Sequence, residues 1–483
     1  MARVLLVQPP PATRNKGGAL AEPIGLEYVA SMLLSQGHEA EILDAWIDQA
    51  SLEEIETRVR KWKPDVVGIT ATSVLMPNAW EVARRVKAFS DEIPVVCGGA
   101  HAIYEPEWTL EDSSIDVAIV GEGEDAILEL IDVWNGSGSL ADVPGIAYRD
   151  HSGEVVRTHS REYNTHLDRL PFPVRNARHM EGYTLYEVVG KRGCPFHCTF
   201  CGASADHRKV RYRTVENVME EISDLFGRYG KKKLYFNDDV FTISKKWAHE
   251  FCDLLIRRDL KIEWECQTRV DLVDPELLAK MKVAGCESVV FGIDGGNQAN
   301  FDRLRKQITV EQALNSVRDA RKAGMAVWCN FIMGYPWETT RDLQDTIDLA
   351  RELDPHFARF FIATPYPGSE LYNYSKERDL IRSYDLASYS QDSGTSILRL
   401  EHMTSEELSR FVYRANLAFY LRPQAFWKAM VGYRRQGRLK ALARAMPAFA
   451  EYIARVRSYS GPVVAGAVPG NLPGERERLR ADP

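Results

Sequence analysis

Residues 192–201 read Arg192-Gly193-Cys194-Pro195-Phe196-His197-Cys198-Thr199-Phe200-Cys201. The run spaces three thiols as C-x3-C-x2-C after a predicted strand, and a compact loop can fold three thiolates around one corner of a metal centre. Four thiolates close a structural zinc site or fill an iron–sulfur cubane, whereas three leave one iron of a four-iron cluster open to a substrate or cofactor. The alternative, a zinc site completed by His197 or a distant cysteine, is disfavoured because His197 adjoins Cys198 and no second C-x2-C pair exists.

The rest of the chain has an ordinary globular composition. Its 483 residues are 45% hydrophobic and 27% charged, which predicts about two to four folded domains. No run approaches the roughly 18 uninterrupted apolar residues of a membrane span, and residues 1–10 lack signal-peptide architecture. We therefore expect a cytoplasmic protein, in which scattered thiols are small buried side chains. Five cysteines are of this kind: Cys97, Cys252, Cys266, Cys286 and Cys329.

Residues 1–135 alternate short apolar runs with amphipathic stretches. The predicted strands are 4–7, 41–43, 66–70, 95–97 and 117–120, and the predicted helices are 25–36, 52–62, 78–89 and 122–134. This alternation predicts an α/β fold with a doubly wound, Rossmann-like parallel sheet. Such sheets bind ligands at the carboxyl ends of their strands. The loops expected there are rich in small residues, which let the backbone approach a large ligand closely.

A second strand-helix series follows a predicted hairpin, 145–149 with 154–158, and a linker, 160–183. Its predicted strands are 185–191, 232–237, 261–268, 287–293, 325–333 and 357–363, and its predicted helices are 214–227, 244–258, 274–284, 309–323 and 340–353. Helix N-caps are expected at Asp274 and Thr309, and C-terminal glycines at Gly285 and Gly324. Six units are too few to close an eight-stranded barrel, so we expect a partial (β/α)6 barrel whose top face carries the chemistry.

The C-terminal part is predicted to be helical over 404–460, starting at the capping box Thr404-Ser405-Glu406-Glu407. The tail 461–483 is predicted to be disordered. Residues 408–460 carry eleven Lys and Arg and one acid, in a chain of net charge −7. The body before them is therefore acidic, which argues against nucleic-acid binding. The basic segment is interpreted either as a helical layer over the barrel mouth or as a surface for an anionic substrate, a carrier protein or a peripheral membrane contact.

The cysteine motif, with Phe200 before its last thiol, resembles the signature of radical S-adenosylmethionine (SAM) enzymes. The predicted partial barrel matches the six-unit core of that family. The resemblance implies a [4Fe–4S] cluster on Cys194, Cys198 and Cys201, whose open iron binds the amino and carboxylate groups of SAM. It also implies an electron donor such as flavodoxin or ferredoxin, and cleavage of SAM to methionine and a 5′-deoxyadenosyl radical.

The N-terminal half resembles the cobalamin-binding (B12-binding) domain that precedes this core in one large subfamily. The resemblance covers roughly residues 1–375 and rests on several motifs in order: 4–10, 25–30, 64–70, Gly98-Gly99-Ala100-His101, Val120-Gly121-Glu122-Gly123-Glu124, 167–173, 212–214, 236–242 and 364–369. It implies that cobalamin lies at the strand ends. The residues expected to contact it are Thr72, Ser73, Gly98, Gly99, His101, Gly121 and Glu122.

Two departures from the family pattern affect these expectations. No Asp-x-His-x-x-Gly motif supplies an axial histidine, so we expect His101 beside the corrin or its nucleotide tail and residues 72–76 beneath the cobalt. Relatives often carry Glu-Ser where Asp294-Gly295 stands. Asp294 is expected to bind SAM near its ribose, with a carboxylate arm shorter than that of the glutamate in relatives.

Each further SAM candidate has a structural alternative. Phe200 is expected to place its backbone near the SAM adenine or else to pack within its loop. Arg269 is expected to pair with the SAM carboxylate or else with Asp271 or Asp274. Gln267 is expected to hydrogen-bond SAM or else to be a satisfied core amide.

The remaining candidates follow predicted strands. Of Asp238 and Asp239, one is expected to contact SAM or substrate and the other to cap the next loop, and Asp238 is the candidate named for SAM. Tyr335 and Trp337 are expected to line the substrate cavity or else to pack in the core. Glu122 is expected to bind the amides of cobalamin or else to complement a helix dipole.

The resemblance implies a cobalamin-dependent radical SAM methyltransferase. Its radical would abstract hydrogen from a small-molecule or carrier-bound substrate, methylcobalamin would supply the methyl group, and natural-product, lipid or cofactor biosynthesis is the expected setting. A non-methylating rearrangement or cyclisation with the same cofactors, and a sensor without turnover, are the alternatives. The expected domains are cobalamin-binding (1–140), hairpin and linker (141–184), radical SAM core (185–400), helical cap (401–460) and tail (461–483).

Overall fold

The computed structural model describes residues 1–11, 22–176, 179–180, 182–183, 185–203, 209–230, 233–391, 394–422 and 427. The described residues form two compact units. The first holds residues up to 183 together with Asp385–Ala387, and the second holds 185–384 and the residues from 388 onward. Apart from Trp427, the predicted helical segment beyond 422 and the predicted tail lie outside the described residues. The predicted domain boundaries therefore stay predictions.

The first unit is built on a seven-stranded sheet of order β2-β1-β3-β4-β5-β6-β7. Its first five strands are parallel and β6 and β7 form an antiparallel hairpin at one edge. This arrangement confirms the predicted doubly wound sheet, and the order 2-1-3-4-5 places its switch point between β1 and β3. The strands are β1 Arg3–Gln8, β2 Glu39–Asp44, β3 Val66–Thr70, β4 Val95–Gly98, β5 Val117–Ile119, β6 Ile146–Arg149 and β7 Val155–Arg157.

The helices of this unit cover the sheet because its central strands are apolar on both faces. Successive residues Val4, Leu5, Leu6 and Val7 are all buried, as expected for a parallel strand between two layers of helices. The first helix packs against the sixth, and the second against the third. The helices are α1 Ile24–Ser35, α2 Leu52–Trp62, α3 Met76–Phe89, α4 Ala100–Tyr104, α5 Pro106–Thr109 and α6 Gly123–Trp134.

The described part of the predicted linker is tied to the first unit. The buried guanidinium of Arg175 lies 2.6 Å from a carboxylate oxygen of Glu22 and 2.8 Å from one of Glu27. The hydroxyl of Tyr183 donates to Asp44 Oδ2 at 2.8 Å. A buried cation with two carboxylate partners is compensated electrostatically, so this stretch belongs to the folded body of the unit.

The second unit confirms the predicted six-stranded partial barrel. Its parallel sheet has the order β15-β14-β13-β12-β11-β8, and β9 and β10 form a separate antiparallel pair. The strands are β8 Tyr186–Val188, β9 Lys191–Arg192, β10 Arg211–Tyr212, β11 Lys233–Phe236, β12 Glu263–Thr268, β13 Cys286–Gly292, β14 Ala326–Met333 and β15 Phe357–Ile362. The helices are α7 Val215–Tyr229, α8 Lys245–Arg257, α9 Pro275–Val283, α10 Gln298–Arg303, α11 Val310–Lys322, α12 Thr340–Leu353, α13 Glu370–Glu377 and α14 Ser405–Tyr420.

Helix ends in this unit follow the predicted signals. The side chain of Asp274 caps α9, and Thr309 forms a capping box at α11. The predicted capping box at Thr404 starts α14. Gly285 has φ +93°, and a Cβ there would lie 2.1 Å from the carbonyl oxygen of Ile262. Both the left-handed backbone and the lack of space therefore require glycine after α9.

One predicted strand is shorter than expected, because residues 185–191 do not form a single strand. Strand β8 ends at Val188, after which the backbone N–H groups of Gly190 and Lys191 donate to Asp238 Oδ1 at 2.7 and 3.0 Å. A backbone held by a side chain leaves the sheet ladder, and Arg192 then pairs with Arg211 instead. The buried carboxylate thus redirects the chain into the cysteine loop.

Candidate functional site

Backbone hydrogen bonds fix the cysteine loop to two other segments of the second unit. The loop starts at Gly193, whose φ of +97° lies in the left-handed region that favours glycine. Thr199 then donates its N–H to Leu304 O at 3.1 Å and accepts from the N–H of Leu371 at 2.8 Å. The loop therefore has a defined path that does not depend on the thiols.

The three thiols lie within electrostatic reach of one another. Cys198 is buried, and Cys194 and Cys201 are half-buried. Burial raises the pKa of each thiol, that of Cys201 to about 11, and the negative charges of Cys194 and Cys198 raise the pKa of Cys201 further. Thiols in this state keep their protons until a cation displaces them.

The donor set fits an iron–sulfur cubane better than a single ion. Among the described residues, no three His, Cys, Asp or Glu side chains are close enough together to hold one metal ion. A cubane presents a different iron to each thiolate, so its ligands need not converge on one point. Moreover, His197, the proposed fourth ligand of a zinc site, is exposed. The residues present therefore fit the predicted cluster.

Arg269 lies against this loop, and its hydrogen bonds are made within the protein. Its Nε and Nη2 donate to the two carboxylate oxygens of Asp271 at 3.0 and 3.1 Å, and Nη2 also donates to Lys306 O at 2.6 Å. Its Nη1 lies 3.9 Å from Cys198 Sγ, and its guanidinium covers the ring of Phe196 at 3.6 Å. The structure thus contains the ion pair between Arg269 and Asp271, which was the structural alternative to a SAM contact, and this pair is buried. A SAM contact by Arg269 stays a prediction.

A buried ion pair faces Cys198 from another side. The amine of Lys306 pairs with Asp294 Oδ2, and Asp294 adopts a left-handed φ of +64°. Next to the effect of burial, Lys306 lowers the pKa of Cys198 most, whereas Asp294 raises it. The carboxylate expected near the SAM ribose is therefore already paired with Lys306. No sequence pattern pointed to Lys306, because it follows a short helix without clear periodicity.

The two aspartates after β11 have different surroundings. Asp238 is buried and accepts three hydrogen bonds, the two from the backbone and one from Lys191 Nζ at 2.7 Å. Asp239 is exposed, and its charge raises the pKa of both Cys194 and Cys201. Of the two, Asp239 is therefore the one placed to act at the cysteine loop.

Gln267 donates its Nε2 to Asp238 O at 3.2 Å, so one side of its amide is satisfied within the protein. This contact agrees with the structural alternative for that residue.

Aromatic packing accounts for three other candidates. The rings of Phe200 and Tyr335 lie 6.2 Å apart, and Tyr335 stacks on Trp337 at 5.4 Å. Tyr335 is fully buried, Trp337 is nearly so, and both belong to the apolar cluster against which Phe200 packs. The structure places these residues in the core, as the packing alternative predicted.

In the first unit, the expected cobalamin residues meet at the carboxyl ends of β3, β4 and β5. Ala71 donates its N–H to Gly98 O at 2.9 Å, which joins two of the strand-end loops. No heavy atom lies within 4 Å of a Cβ built at Gly98 or Gly121, whereas Gly99, at φ +93°, closely approaches Ala71. The glycines thus leave open space on one side and close packing on the other. This strand-end surface around Gly98, Gly99 and Gly121, called the cradle below, has the space that a large planar ligand needs.

His101 is buried in this cradle. Its Nδ1 lies 3.0 Å from Ser73 Oγ, and its ring contacts Trp108 at 5.3 Å. Burial lowers the pKa of His101 to about 4, so the ring is neutral near pH 7. Its Nε2 is buried without a hydrogen-bond partner among the described residues. A cobalamin amide or phosphate group would satisfy that atom, so the residues fit the predicted cofactor.

The other two expected contacts lie at the rim of the cradle. Thr72 is exposed, and half-buried Glu122 stands at the N-cap of α6. The position of Glu122 agrees with the helix-dipole alternative as well as with a cobalamin contact.

Two domain models match the chain. The B12 binding domain matches residues 12–131 and the radical SAM superfamily matches residues 188–350. An uncharacterized methyltransferase, PH0819 of Pyrococcus horikoshii, is 34% identical over 88% of this chain and 94% of its own length. The anaerobic magnesium-protoporphyrin IX monomethyl ester cyclase of Rubrivivax gelatinosus is 30% identical over 84% of this chain and 75% of its own.

Solved structures agree in fold. The methyltransferase TsrM from Kitasatospora setae, with cobalamin and a [4Fe–4S] cluster bound, superimposes with a TM-score of 0.68 at 19% identity, covering 85% of this chain and 82% of that one. Two domains of this kind, in this order, define an enzyme that uses SAM, a [4Fe–4S] cluster and cobalamin. The chain belongs to the family of cobalamin-dependent radical SAM enzymes. The predictions of family, fold and cofactor set are thereby confirmed, and the methyltransferases among the relatives support the predicted class of reaction.

Among the described residues, no helix combines the length and the apolar character that crossing a membrane requires.

Proposed function

We propose that this enzyme methylates an unactivated carbon of a small or carrier-bound substrate. The observation that carries the proposal is the cysteine loop, which holds three thiols beside two buried cations in a chain that also has a B12-binding fold. The 34% identity to a protein named a methyltransferase supports methyl transfer as the reaction. Natural-product, lipid or cofactor biosynthesis is the setting that we propose for it.

When bound, the cluster with SAM supplies a 5′-deoxyadenosyl radical and methylcobalamin supplies the methyl group. The residues of the chain bind and position these groups. Arg269 and Lys306 place positive charge next to Cys198, which favours its thiolate form. Asp238 and Lys191 set the direction in which the chain enters the loop.

In the B12-binding unit, His101 is held neutral by burial, so its unpartnered Nε2 offers an uncharged polar contact. The glycines at positions 98 and 121 leave room for the ligand. Neither feature requires a proton to move during the reaction. The unit would therefore act by binding and shielding rather than by acid–base chemistry.

Several other roles remain part of this proposal. An external electron donor, such as a flavodoxin or ferredoxin, would reduce the cluster, and we expect the reaction to take place in the cytoplasm. The basic segment would meet a substrate, a carrier or a membrane surface. Of its residues beyond 422, the structure describes Trp427, whose side chain is exposed. We also keep the domain limits at 140, 184, 400 and 460 as proposals.

A second candidate is a cyclisation with the same cofactors and no methyl transfer. Its support is the 30% identity to a cyclase. The two candidates differ in the fate of the SAM methyl group, because only a methyltransferase moves it to cobalamin and then to product.

The experiment uses the full chain, purified without oxygen and reconstituted with iron, sulfide and cobalamin, together with methyl-labelled SAM and a chemical reductant. We expect label on the bound cobalamin and release of S-adenosylhomocysteine, neither of which needs the substrate. Release of 5′-deoxyadenosine with neither of these signals, from protein loaded with both cofactors, would exclude methyl transfer and favour the cyclase alternative.

The matched variants are Cys198→Ala and Cys252→Ala. Both thiols are buried, but only Cys198 is a proposed ligand. The first variant should lose the cluster absorbance and 5′-deoxyadenosine release, and the second should keep both. Retention of SAM cleavage by Cys198→Ala would contradict the assignment of the cluster.

A further inference from the structure

The inner face of the partial barrel carries a row of polar side chains. Side chains alternate along each strand, and in β12 the buried Trp264 and Cys266 alternate with the half-buried Glu265 and Gln267. The half-buried positions form the inner face, because the outward ones pack under the helices. The register of the strands then aligns inner positions from one strand to the next.

Arg359 occupies one of these inner positions, on strand β15. It lies directly opposite Asn330 of β14, which in turn lies opposite Gly292 of β13. Arg359 is half-buried, and its guanidinium carbon lies 4.4 Å from the ring centre of Trp328. The indole itself stacks on Phe357 at 3.9 Å. The guanidinium is therefore held in one place by stacking, with its edge available for hydrogen bonds.

Arg359 has neither a hydrogen bond nor an ion pair with any described residue. Three arginines with buried side chains differ in this respect. Arg175 pairs with Glu22 and Glu27, Arg213 with Glu221, and Arg269 with Asp271: each guanidinium faces a carboxylate. The guanidinium of Arg359 is only partly withdrawn from solvent, but within an enclosed face an anionic partner is favoured over none.

Two buried polar atoms of this inner face also have no hydrogen-bond partner among the described residues. Ser288 Oγ and Asn330 Oδ1 are fully buried and make no hydrogen bond to a described residue. Asn330 is the direct neighbour of Arg359 in the sheet, whereas Ser288 lies on the same face of β13, four residues before Gly292 of that row. Buried polar groups are almost always hydrogen-bonded in native proteins. Their presence on the same inner face points to a polar ligand.

The two ends of the curved sheet approach each other across this space. Arg359 lies on β15 and Tyr235 on β11, with three strands between them. Burial raises the pKa of Tyr235, yet the positive charge of Arg359 lowers it. Glu187 and Glu265 raise the same pKa. The inner face is thus acidic toward β8 and β12 and basic at β15, which orients a ligand with an anionic end.

We propose that Arg359 anchors an oxyanion of the substrate, a carboxylate or a phosphate-type group, inside the partial barrel. The proposal rests on the proposed function, because it treats this inner face as the place where the substrate carbon is presented. Arg359 is then a specificity-determining residue, since its planar fork can take two oxygens of one anion. A substrate without an anionic group would leave the guanidinium without a partner.

The carboxylate of SAM offers the same chemistry, so the experiment separates the two sources. The probes are inorganic phosphate and acetate, titrated into the reconstituted enzyme with SAM already bound, and labelled SAM in equilibrium dialysis. The variants are Arg359→Gln, which loses the charge, and Arg359→Lys, which keeps the charge without the fork. The matched control is Arg341→Gln, an arginine whose side chain is 84% exposed.

Phosphate or acetate should bind the wild type and the control equally, and Arg359→Gln at least about tenfold more weakly, with Arg359→Lys in between. SAM affinity should stay within about twofold in all of them. A tenfold loss of SAM affinity in Arg359→Gln would assign the guanidinium to SAM and overturn the proposal. Equal anion binding by the wild type and Arg359→Gln, or no anion binding by the wild type, would overturn it too.

Transfer of label from SAM to cobalamin needs no substrate, so Arg359→Gln should retain it. Loss of that transfer in the wild type would defeat the proposed function, yet it would leave the anion result intact. Circular dichroism checks the folding of each variant. If Arg359→Gln does not fold, the anion affinity of Arg359→Lys tests the proposal instead. Loss of the planar guanidinium alone should weaken anion binding measurably.

Discussion

Asp238→Asn separates a structural role from a role in SAM binding. Asp238 was predicted to contact SAM or substrate, but its carboxylate accepts two backbone N–H groups and the amine of Lys191, all within 3.0 Å. Both side chains of the pair are at most 2% exposed. We therefore expect this substitution to lower the stability of the unit, with loss of SAM binding only as a consequence.

The size of the effect follows from the amine left behind. An asparagine Oδ1 can still accept the two backbone N–H groups, but its Nδ2 donor faces the ammonium and cannot pair with it. Removing one partner of a buried ion pair costs about 3–5 kcal/mol. Deprotonating a lysine at pH 7 instead costs roughly 5 kcal/mol, which limits the loss from above. The rings of Trp247 and Phe241, 3.8 and 4.5 Å from the amine, offset part of it.

Thermal unfolding by calorimetry measures the loss. About 3–5 kcal/mol corresponds to a fall in Tm of roughly 6–20 °C for a unit of this size. The matched control is Asp259→Asn, which breaks an ion pair with Lys261 whose side chains are both 77% exposed. An exposed pair contributes about 0–1 kcal/mol, so this control should unfold close to the wild type.

The stability of Asp238→Asn should also depend on pH in a predictable direction. Burial lowers the pKa of Lys191, and the aspartate opposes that shift in the wild type. Without the aspartate, the folded state binds the amine proton less tightly than the unfolded state does. Stability of Asp238→Asn should therefore rise with pH between 7 and 9, relative to the wild type, by up to about 1.4 kcal/mol per pH unit.

A compensated variant completes the test. Lys191→Met combined with Asp238→Asn removes the unpaired charge, and most of the lost stability should return. The double variant should also bind SAM and keep its cluster. An Asp238→Asn protein with wild-type Tm and no SAM binding would refute this reasoning and restore the direct role predicted for Asp238.

Two further predictions concern buried groups. Burial raises the pKa of Glu338 from 4.5 to about 8, so its contribution to stability is complete below pH 4.5, falls as pH rises from there, and is gone above about 8. Glu338→Gln should therefore lose less stability than the wild type between pH 5 and 8, by up to about 1.4 kcal/mol per unit, and parallel Tm curves would contradict this. The hydroxyl of Tyr420 donates to Ala358 O at 2.8 Å and accepts from Ala358 N at 3.2 Å. Tyr420→Phe should cost about 1–3 kcal/mol in chemical unfolding, whereas Tyr212→Phe, at an exposed tyrosine, should cost less than about 0.5; equal losses would argue against the edge contact.

The strands and longer helices could be predicted because burial imposes a pattern on the sequence. A parallel strand covered on both faces reads as an uninterrupted apolar run, as at Val66–Thr70, which the structure places where it was expected. Helix caps at Asp274 and Thr309 were equally predictable, since each side chain bonds a backbone N–H three residues ahead. The cysteine spacing was enough to predict the cluster.

The partners of the charged residues were not predictable in the same way. The pair formed by Lys306 and Asp294 depends on how a loop after a short helix folds back, and no periodicity describes such a loop. The role of Asp238 depends on a backbone segment 47 positions away. Arg359 did carry a signal, as the one charged residue in the otherwise apolar strand Phe357–Ile362. Its lack of a partner depends on which side chains the neighbouring strands place beside it, and the pattern of one strand does not predict that.

The contact of Tyr420 with the last barrel strand has a consequence for the order of synthesis. Strand β15 ends at Ile362, and α14, which supplies the hydroxyl, ends at Tyr420. At about 5–20 residues per second, a ribosome needs roughly 3–12 s to add the intervening chain. During that interval the outer edge of β15 is open to pairing with another nascent strand. Slower translation between these positions should therefore increase aggregation of the newly made chain, although the finished enzyme would be unchanged.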